Sequence, residues 1–227
     1  MNVTDISFWS SLLSILVIDL ILSGDNAVVI ALATLNLDDE DKKRGIFWGT
    51  FGAVGLRILL TAIAAILLKV PFIQAIGGSL LTWIAIKLLK DQDAEEHHMQ
   101  AAGSLFDAIK IIIFADLLMS LDNVLAVAGA AGGNYILLVL GLCISIPIVI
   151  FGSTLLSGLM EKWPWLVFIG AGLLGYTAGE MVLNDSYFRF LHEIPALEYI
   201  IPWGLAVFVV IIGSVIKKSK KKAVKQQ

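Results

Sequence analysis

Of 227 residues, 58% are hydrophobic and 15% charged, with a net charge of −3, where soluble domains run near 45–50% apolar and roughly 25% charged. With a mean hydropathy of +0.89, this excludes an ordinary soluble fold. It reads as an all-α polytopic membrane protein with the lipid bilayer as its surroundings, no nucleic-acid partner and no soluble domain beside its spans. The single cysteine, Cys143, excludes an internal disulfide framework and a Cys-rich zinc or iron–sulfur centre.

A helix crossing the hydrocarbon needs about 20 mainly apolar residues, and seven such spans are expected. The first, near residues 9–34, is not a cleavable signal peptide, because it lacks a basic leader and carries acids. Its centre reads "IDLILSGDNAVVIA" (Ile18–Ala31) and holds Asp19 and Asp25. "NLDDEDKKRG" follows as a soluble turn. The second span, 46–68, carries Arg57 near its centre, too deep to snorkel to an interface. The third, 71–89, has Lys87 near its end, where its stem can snorkel. The connector "DQDAEEHHMQ" holds Asp91, Asp93, Glu95, Glu96, His97 and His98, a solvated link or a collector of cations. The fourth span, 105–130, contains "ADLLMSLDNVLAVA" (Ala115–Ala128). Spans five, six and seven fall at 135–157, 164–183 and 199–216, with Glu180 in the sixth.

Lys and Arg concentrate on one side of this arrangement: Lys42, Lys43, Arg44, Lys90, Lys162 and the tail residues Lys217, Lys218, Lys220, Lys221, Lys222 and Lys225. The opposite side has little beyond Lys69 and Arg189. The positive-inside rule then places the N-terminus outside and the C-terminus in the cytoplasm of a multi-pass cell-membrane protein. The tail is a stop-transfer flank or a contact for anionic headgroups.

The acid-bearing segments repeat. Asp19, Ser23, Asp25 and Asn26 align with Asp116, Ser120, Asp122 and Asn123, and "IGGSLLTWIAIKLLKD" aligns with "IGAGLLGYTAGEMVLN". The middle segments align poorly. Three spans per unit is an odd number, so the units have opposite topology and are expected to pack as inverted repeats with a midplane site. The organisation is one transmembrane domain, 1–227: repeat one at 1–92, repeat two at 104–185, an extra seventh helix at 198–217 and the basic tail at 217–227.

An ionised Asp at a span centre costs about 2.5–3.5 kcal/mol on insertion scales. Four of them imply that protons, water or a cation meet them inside the bundle. The alternative is that protonated acids act as interhelical hydrogen-bond glue. The candidate metal ligands are Asp19, Asp25, Asn26, Asp116, Asp122 and Asn123, supported by Ser23, Ser120, Arg57 and Glu180. Asp25 and Asp122 are the first choices as direct ligands, with the amide oxygens of Asn26 and Asn123. Asp19 and Asp116 are ligands or proton acceptors. Arg57 supplies compensating charge, and Glu180 lines an exit path or relays a proton. Carboxylate, amide and hydroxyl oxygens suit Mn²⁺, Mg²⁺ or Ca²⁺. At 100° per residue, Asp19, Ser23 and Asn26 share a face and Asp25 lies about 120° away. An unwound stretch near Ser23–Gly24 would free backbone carbonyls as further ligands. Leu121 stands where the first copy has Gly24, so the break is expected in the first copy alone or in neither.

The paired "DLILSGDN" and "DLLMSLDN" resemble the TerC family of integral membrane proteins, and nearly the whole chain resembles its short, seven-span YjbE-like members. That resemblance implies a divalent-metal exporter, chiefly for Mn²⁺, with some genes under a manganese-sensing riboswitch. It also implies kinship with LysE-type carriers and links to tellurite resistance and to metal supply for exported proteins. The family's acidic site falls on Asp19, Asp25 and Asn26 and on Asp116, Asp122 and Asn123. The expectation is outward movement of a divalent cation, Mn²⁺ first, by alternating access with H⁺ antiport. No resident cofactor and no enzymatic activity are expected, since no Ser–His or HExxH arrangement lies within a span. Rival readings are an exporter of a small organic cation or amino acid, which needs an aromatic or apolar pocket beside the acids, with Trp48 and Trp83 available but not obviously placed for it, and a non-transporting scaffold in metal or stress response. Partners beyond the cation and the lipid would be a second copy or secretion-related membrane proteins.

Overall fold

The computed structural model describes residues 6–61, 70–90, 104–131 and 134–224. The acidic connector from Asp91 to His98 therefore lies outside the described residues, as do Lys69 and Lys225 and the side chains of Asp122, Arg189 and Lys217 to Lys222. The helices are α1 (Ile6–Leu22), α2 (Gly24–Thr34), α3 (Asp39–Thr61), α4 (Ile73–Lys90), α5 (Leu105–Ala130), α6 (Tyr135–Lys162), α7 (Trp165–Asn184) and α8 (Pro195–Val224), with a 3₁₀ turn at Arg189–Glu193. No strand occurs among the described residues. The protein is an all-α polytopic membrane protein. Counted by length and hydropathy among the described residues, four helices can each cross a membrane. The bent pair Phe8–Leu20 and Gly24–Thr34 makes a fifth. The remaining two of the seven expected spans would lie on α3 and α5, and this count does not reach them.

Local chemistry explains where the observed ends differ from the expected ones. "LDDEDKKR", expected as a turn, is largely the opening of α3. Asp38 stops the chain there, its Oδ1 accepting from the Asp41 amide at 2.8 Å, as an N-cap does. The acids Asp39, Glu40 and Asp41 then sit in the first turn, where the helix dipole favours them. At its other end, α6 runs on to Lys162, and α8 carries helical backbone through the basic tail to Val224.

The packing is reciprocal. The α1–α2 pair packs on α6, while α5 packs on α3, so each unit's first span lies on the other unit's second. The third spans, α4 and α7, pack on each other, and α8 covers both. This exchange is what a pseudo-twofold axis would produce. Single side chains follow it too. Ile112 of α5 lies so close to α3 that a Cβ on Gly49 would come within 2.6 Å of it, and Ile15 of α1 blocks a Cβ on Gly141 of α6 in the same way. Ile15 and Ile112 are equivalent positions in the repeat. At the α7–α8 crossing, Gly179 lets the backbone of Pro202 approach more closely than any side chain would allow.

Apolar packing divides the bundle into three. The largest cluster, including Leu32, Leu81, Ile84, Leu174 and Met181, ties α2, α4, α5 and α7 together. A second, including Phe8, Leu12, Ile15, Val127, Leu137 and Leu142, closes α1, α3, α5 and α6 at one end. A third, Ile30, Ile46, Ile112 and Val149, closes α2, α3, α5 and α6 at the other. Between those last two plugs lie the charges. The outer belt of the bundle is exposed apolar surface, with Trp48, Trp83, Phe151, Trp165 and Trp203 all turned outward, as a lipid-facing wall requires.

Candidate functional site

The chain folds so that Asp19 lies in the last turn of α1, which ends at Leu22. Ser23, at φ −102° and ψ 5°, interrupts the helix before α2 starts at Gly24, and the axis bends by 48°. The corresponding stretch of α5, through Ser120, Leu121 and Asp122, is unbroken. The break therefore belongs to the first copy alone; it sits at Ser23, and Gly24 neither takes a left-handed conformation nor has a neighbour within 4 Å that a Cβ would meet.

Arg57 of α3 joins the two copies. Its Nη1 donates to Asp19 Oδ1 at 2.6 Å and to Ser23 Oγ at 3.2 Å. Its Nη2 donates to Asp116 Oδ1, and its Nε to Ser120 Oγ at 2.9 Å. Each serine also donates to its own aspartate, Ser23 to Asp19 at 3.4 Å and Ser120 to Asp116 at 3.1 Å. Arg57 is 3% exposed, Asp19 1% and Asp116 7%. Desolvating charges so completely is costly unless they are paired and hydrogen-bonded, and here one planar guanidinium serves two carboxylates and two hydroxyls.

Against this cluster is a small cavity of about 20 Å³, whose polar lining includes Asp19, Asn26, Thr50, Arg57, Asp116 and Ser145. Asp19 Oδ2, both polar atoms of the Asn26 amide and Thr50 Oγ1 are buried with no hydrogen-bond partner among the described residues.

Asp25 is elsewhere. It lines a second cavity, about 560 Å³, with Asn123, Met119, Tyr176, Thr177 and Glu180. That cavity runs along α7 to Asn184. Asp25 Oδ1 accepts from the Asn26 amide at 2.9 Å, and Thr177 Oγ1 donates to its Oδ2 at 3.4 Å. Asn123 Nδ2 donates across the bundle to the Leu22 carbonyl at 3.1 Å, at the open end of α1. The break thus separates the residues proposed as one ligand set. Asp19, Ser23 and Asn26 face the buried cluster with Asp116 and Ser120, while Asp25, Asn123 and Glu180 face the larger cavity. The bend does not turn Asp25 toward Asp19. Asp122 lies on α5 between the two groups in sequence. Among the described residues, no three of His, Cys, Asp and Glu gather as a metal-binding group.

Trp48 and Trp83, the residues available for an aromatic pocket in the organic-cargo reading, face outward, and Lys87 Nζ lies 5.5 Å from the Trp83 ring. The residues that sequence reasoning missed are Thr50, Ser145, Tyr176 and Thr177. Each is a lone polar residue in an apolar run, a signal that also fits helix packing. Asp185 was missed as well. It is fully buried just past α7 and accepts from the backbone amides of Phe72, Gln74, Ala75 and Tyr187 at 2.9–3.1 Å.

A family profile described as "Integral membrane protein TerC family" matches residues 4–221. The Bacillus subtilis (strain 168) membrane protein YjbE is 46% identical over 202 residues, 88% of this chain and 92% of that protein. YceF of the same organism is 24% identical over 233 residues, 99% of this chain and 88% of its own length. The tellurium resistance protein TerC of Alcaligenes sp is 31% identical over 86 residues, 35% of this chain and 25% of that one. No solved structure gives a significant match. The chain belongs to the TerC family of integral membrane proteins.

Proposed function

We propose that this protein exports a divalent metal cation, Mn²⁺ first, across the cell membrane, with its N-terminus outside and its C-terminus in the cytoplasm. The observation that carries the reading is the buried Asp19–Arg57–Asp116 cluster, formed from both copies of the motif and set beside a helix break. Burying these charges is expensive, and broken helices at a seam between repeats are where transporters hold ions. In this reading the two units are inverted repeats, an arrangement the reciprocal packing supports.

In the proposed topology, the cavity along α7 opens outward. Asp25, Asn123 and Glu180 offer hard oxygens with room for an ion that keeps part of its water, as small divalent cations do. The ion leaves by this vestibule. Arg57 neutralises Asp19 and Asp116 while no metal is near and yields them when one arrives. Outward export against an inside-negative potential costs roughly 4.6 kcal/mol for a divalent ion at 100 mV, so a counter-flowing cation must drive it.

Tyr176 beside Asp25 and Glu180 favours a second reading, in which the cargo is a small organic cation held against that ring. One experiment separates the two. Inverted membrane vesicles loaded with a metal-sensing dye receive Mn²⁺ at the exposed cytoplasmic face. Wild type should take it up, and Asp25→Asn and Asp122→Asn should each lower the rate at least tenfold. Absence of uptake in wild type, or full rates in both variants, would turn the assignment toward the organic cargo or a non-transporting scaffold.

A further inference from the structure

The proposed metal path calls on Asp19 and Asp116 when metal arrives, and leaves open what fills the small cavity beside Arg57 before then. At about 20 Å³ it holds one particle of water size. Asp19 Oδ2, both Oδ1 and Nδ2 of Asn26, and Thr50 Oγ1 are buried without partners among the described residues, and all three residues line the cavity. Ser145 Oγ, on the same wall, gives its proton to the Leu142 carbonyl at 2.9 Å, which leaves its lone pairs available. Buried oxygens of this kind are rarely left unpaired. The oxygens of Asp19, Asn26, Thr50 and Ser145 can ligate a bare cation; a water molecule would meet the same oxygens together with the Asn26 Nδ2 donor, so charge has to choose between them.

Charge decides which cation. With both carboxylates ionised, Asp19 and Asp116 against one guanidinium leave a single negative charge. One monovalent ion balances it, whereas a divalent ion would overshoot unless Arg57 left.

We propose that the cavity lined by Asp19, Asn26, Thr50 and Ser145 binds a dehydrated alkali cation, Na⁺, and that this ion is the counter-flowing partner of the exported metal. The coupling rests on the export reading; the binding does not.

The test uses the purified full-length protein in detergent with chelator and no divalent metal. Thermal stability is followed as NaCl replaces choline chloride at constant ionic strength, with KCl as comparator. The expected result is a saturable rise in Tm with Na⁺, larger than with K⁺. Thr50→Val, which exchanges one hydroxyl for a methyl, should weaken the apparent Na⁺ affinity by about tenfold, and Ser145→Ala should weaken it in the same direction. The surface variant Glu161→Gln should match wild type. Equal Tm in NaCl and choline chloride, or an unchanged Na⁺ response in both Thr50→Val and Ser145→Ala, would overturn the site. So would a Tm that follows pH and ignores Na⁺, which would hand the balancing charge to a proton.

A second measurement separates this inference from the export reading. Inverted vesicles loaded with NaCl and diluted into choline chloride should take up Mn²⁺ faster than vesicles without the gradient. Mn²⁺ uptake indifferent to Na⁺ would remove the coupling and leave export standing. Na⁺ stabilisation without any Mn²⁺ movement would remove export and leave the site.

Discussion

Arg57 holds two carboxylates with one side chain, and its removal should be felt by both. Truncating one partner of a buried ion pair typically costs about 3–5 kcal/mol, because the other charge stays buried and unpaired. Arg57→Gln strands Asp19 and Asp116 together and should lower stability by roughly that amount. Replacing the acids as well, in Asp19→Asn with Asp116→Asn and Arg57→Gln, removes the stranded charges and should recover at least half of the loss. The comparison is a cycle of Tm measurements in detergent, where coupling shows as non-additivity. If the triple variant is less stable than Arg57→Gln alone, the three residues do not act as one charge cluster. The sequence pointed to these residues because charges in apolar spans are rare, and Arg57 and the duplicated acids are conspicuous against Leu and Ile. It did not show that Asp25 belongs to a different chamber. The helical angle between Asp19 and Asp25 was legible, but the direction of the bend at Ser23 depends on α6 and α5 packed around it. Thr50 and Ser145 carry no motif at all, and only the cavity picks them out.

At the scale of elements, a carboxylate adds to the apolar packing that fixes α4 and α7 to one another at the Asn184 end. Asp185 follows α7 and reaches the start of α4, where it collects amides that the first turn of a helix cannot satisfy internally. One of them belongs to Phe72, held at φ 67°, a left-handed conformation that a bulky residue adopts only when its surroundings impose it. The Phe72 ring is pinned as well, 4.2 Å from that of Tyr187. Burial pushes the Asp185 pKa up, but the backbone donors from Tyr187, Ala75, Phe72 and Gln74 outweigh it and hold the group below the ordinary carboxylate value. A depressed folded pKa stabilises the protein above the unfolded value near 3.9, and this contribution is lost as pH falls through the folded value. Asp185→Ala should therefore lower Tm at pH 7, by an amount corresponding to roughly 2–3 kcal/mol. The gap between wild type and variant should narrow at pH values below the ordinary Asp pKa. A gap that is constant or widens on acidification would mean that the carboxylate charge is not what binds α4 to α7. In sequence Asp185 sat in "NDSYFRFLHEIP", which reads as polar punctuation. Spans were legible from hydropathy, whereas a cap donated across more than a hundred residues was not.

At the scale of the whole molecule, the polar centre lies between two apolar plugs built by the same set of spans. Ile112 belongs to the plug nearer Ile46 and the start of α3, and Ile15 to the plug nearer Leu137 and the start of α6. Each is lodged against a glycine of the other unit's second span. If the proposed export runs by alternating access, one isoleucine must leave its glycine while the other stays seated, so that the two plugs never open together. Ser145, which is 1% exposed and lines the buried cavity, reports on both. In a background where the exposed Cys143 is replaced by serine, Ser145→Cys should react slowly with a membrane-impermeant thiol reagent added to either face. Adding Ile112→Ala should raise the rate at least tenfold from the cytoplasmic face alone, and Ile15→Ala from the outer face alone. Equal acceleration from both faces by either substitution would mean that the clusters are ordinary core rather than gates. Acceleration from the reversed faces would keep the gates and overturn the orientation read from Lys42, Lys162 and the basic tail. The plugs are equivalent by repeat but unlike in make-up, four residues of Ile and Val in one and nine residues including Phe8 in the other. The smaller should be the easier to open, and in the proposed export topology it is the one on the cytoplasmic side, where the cargo would load.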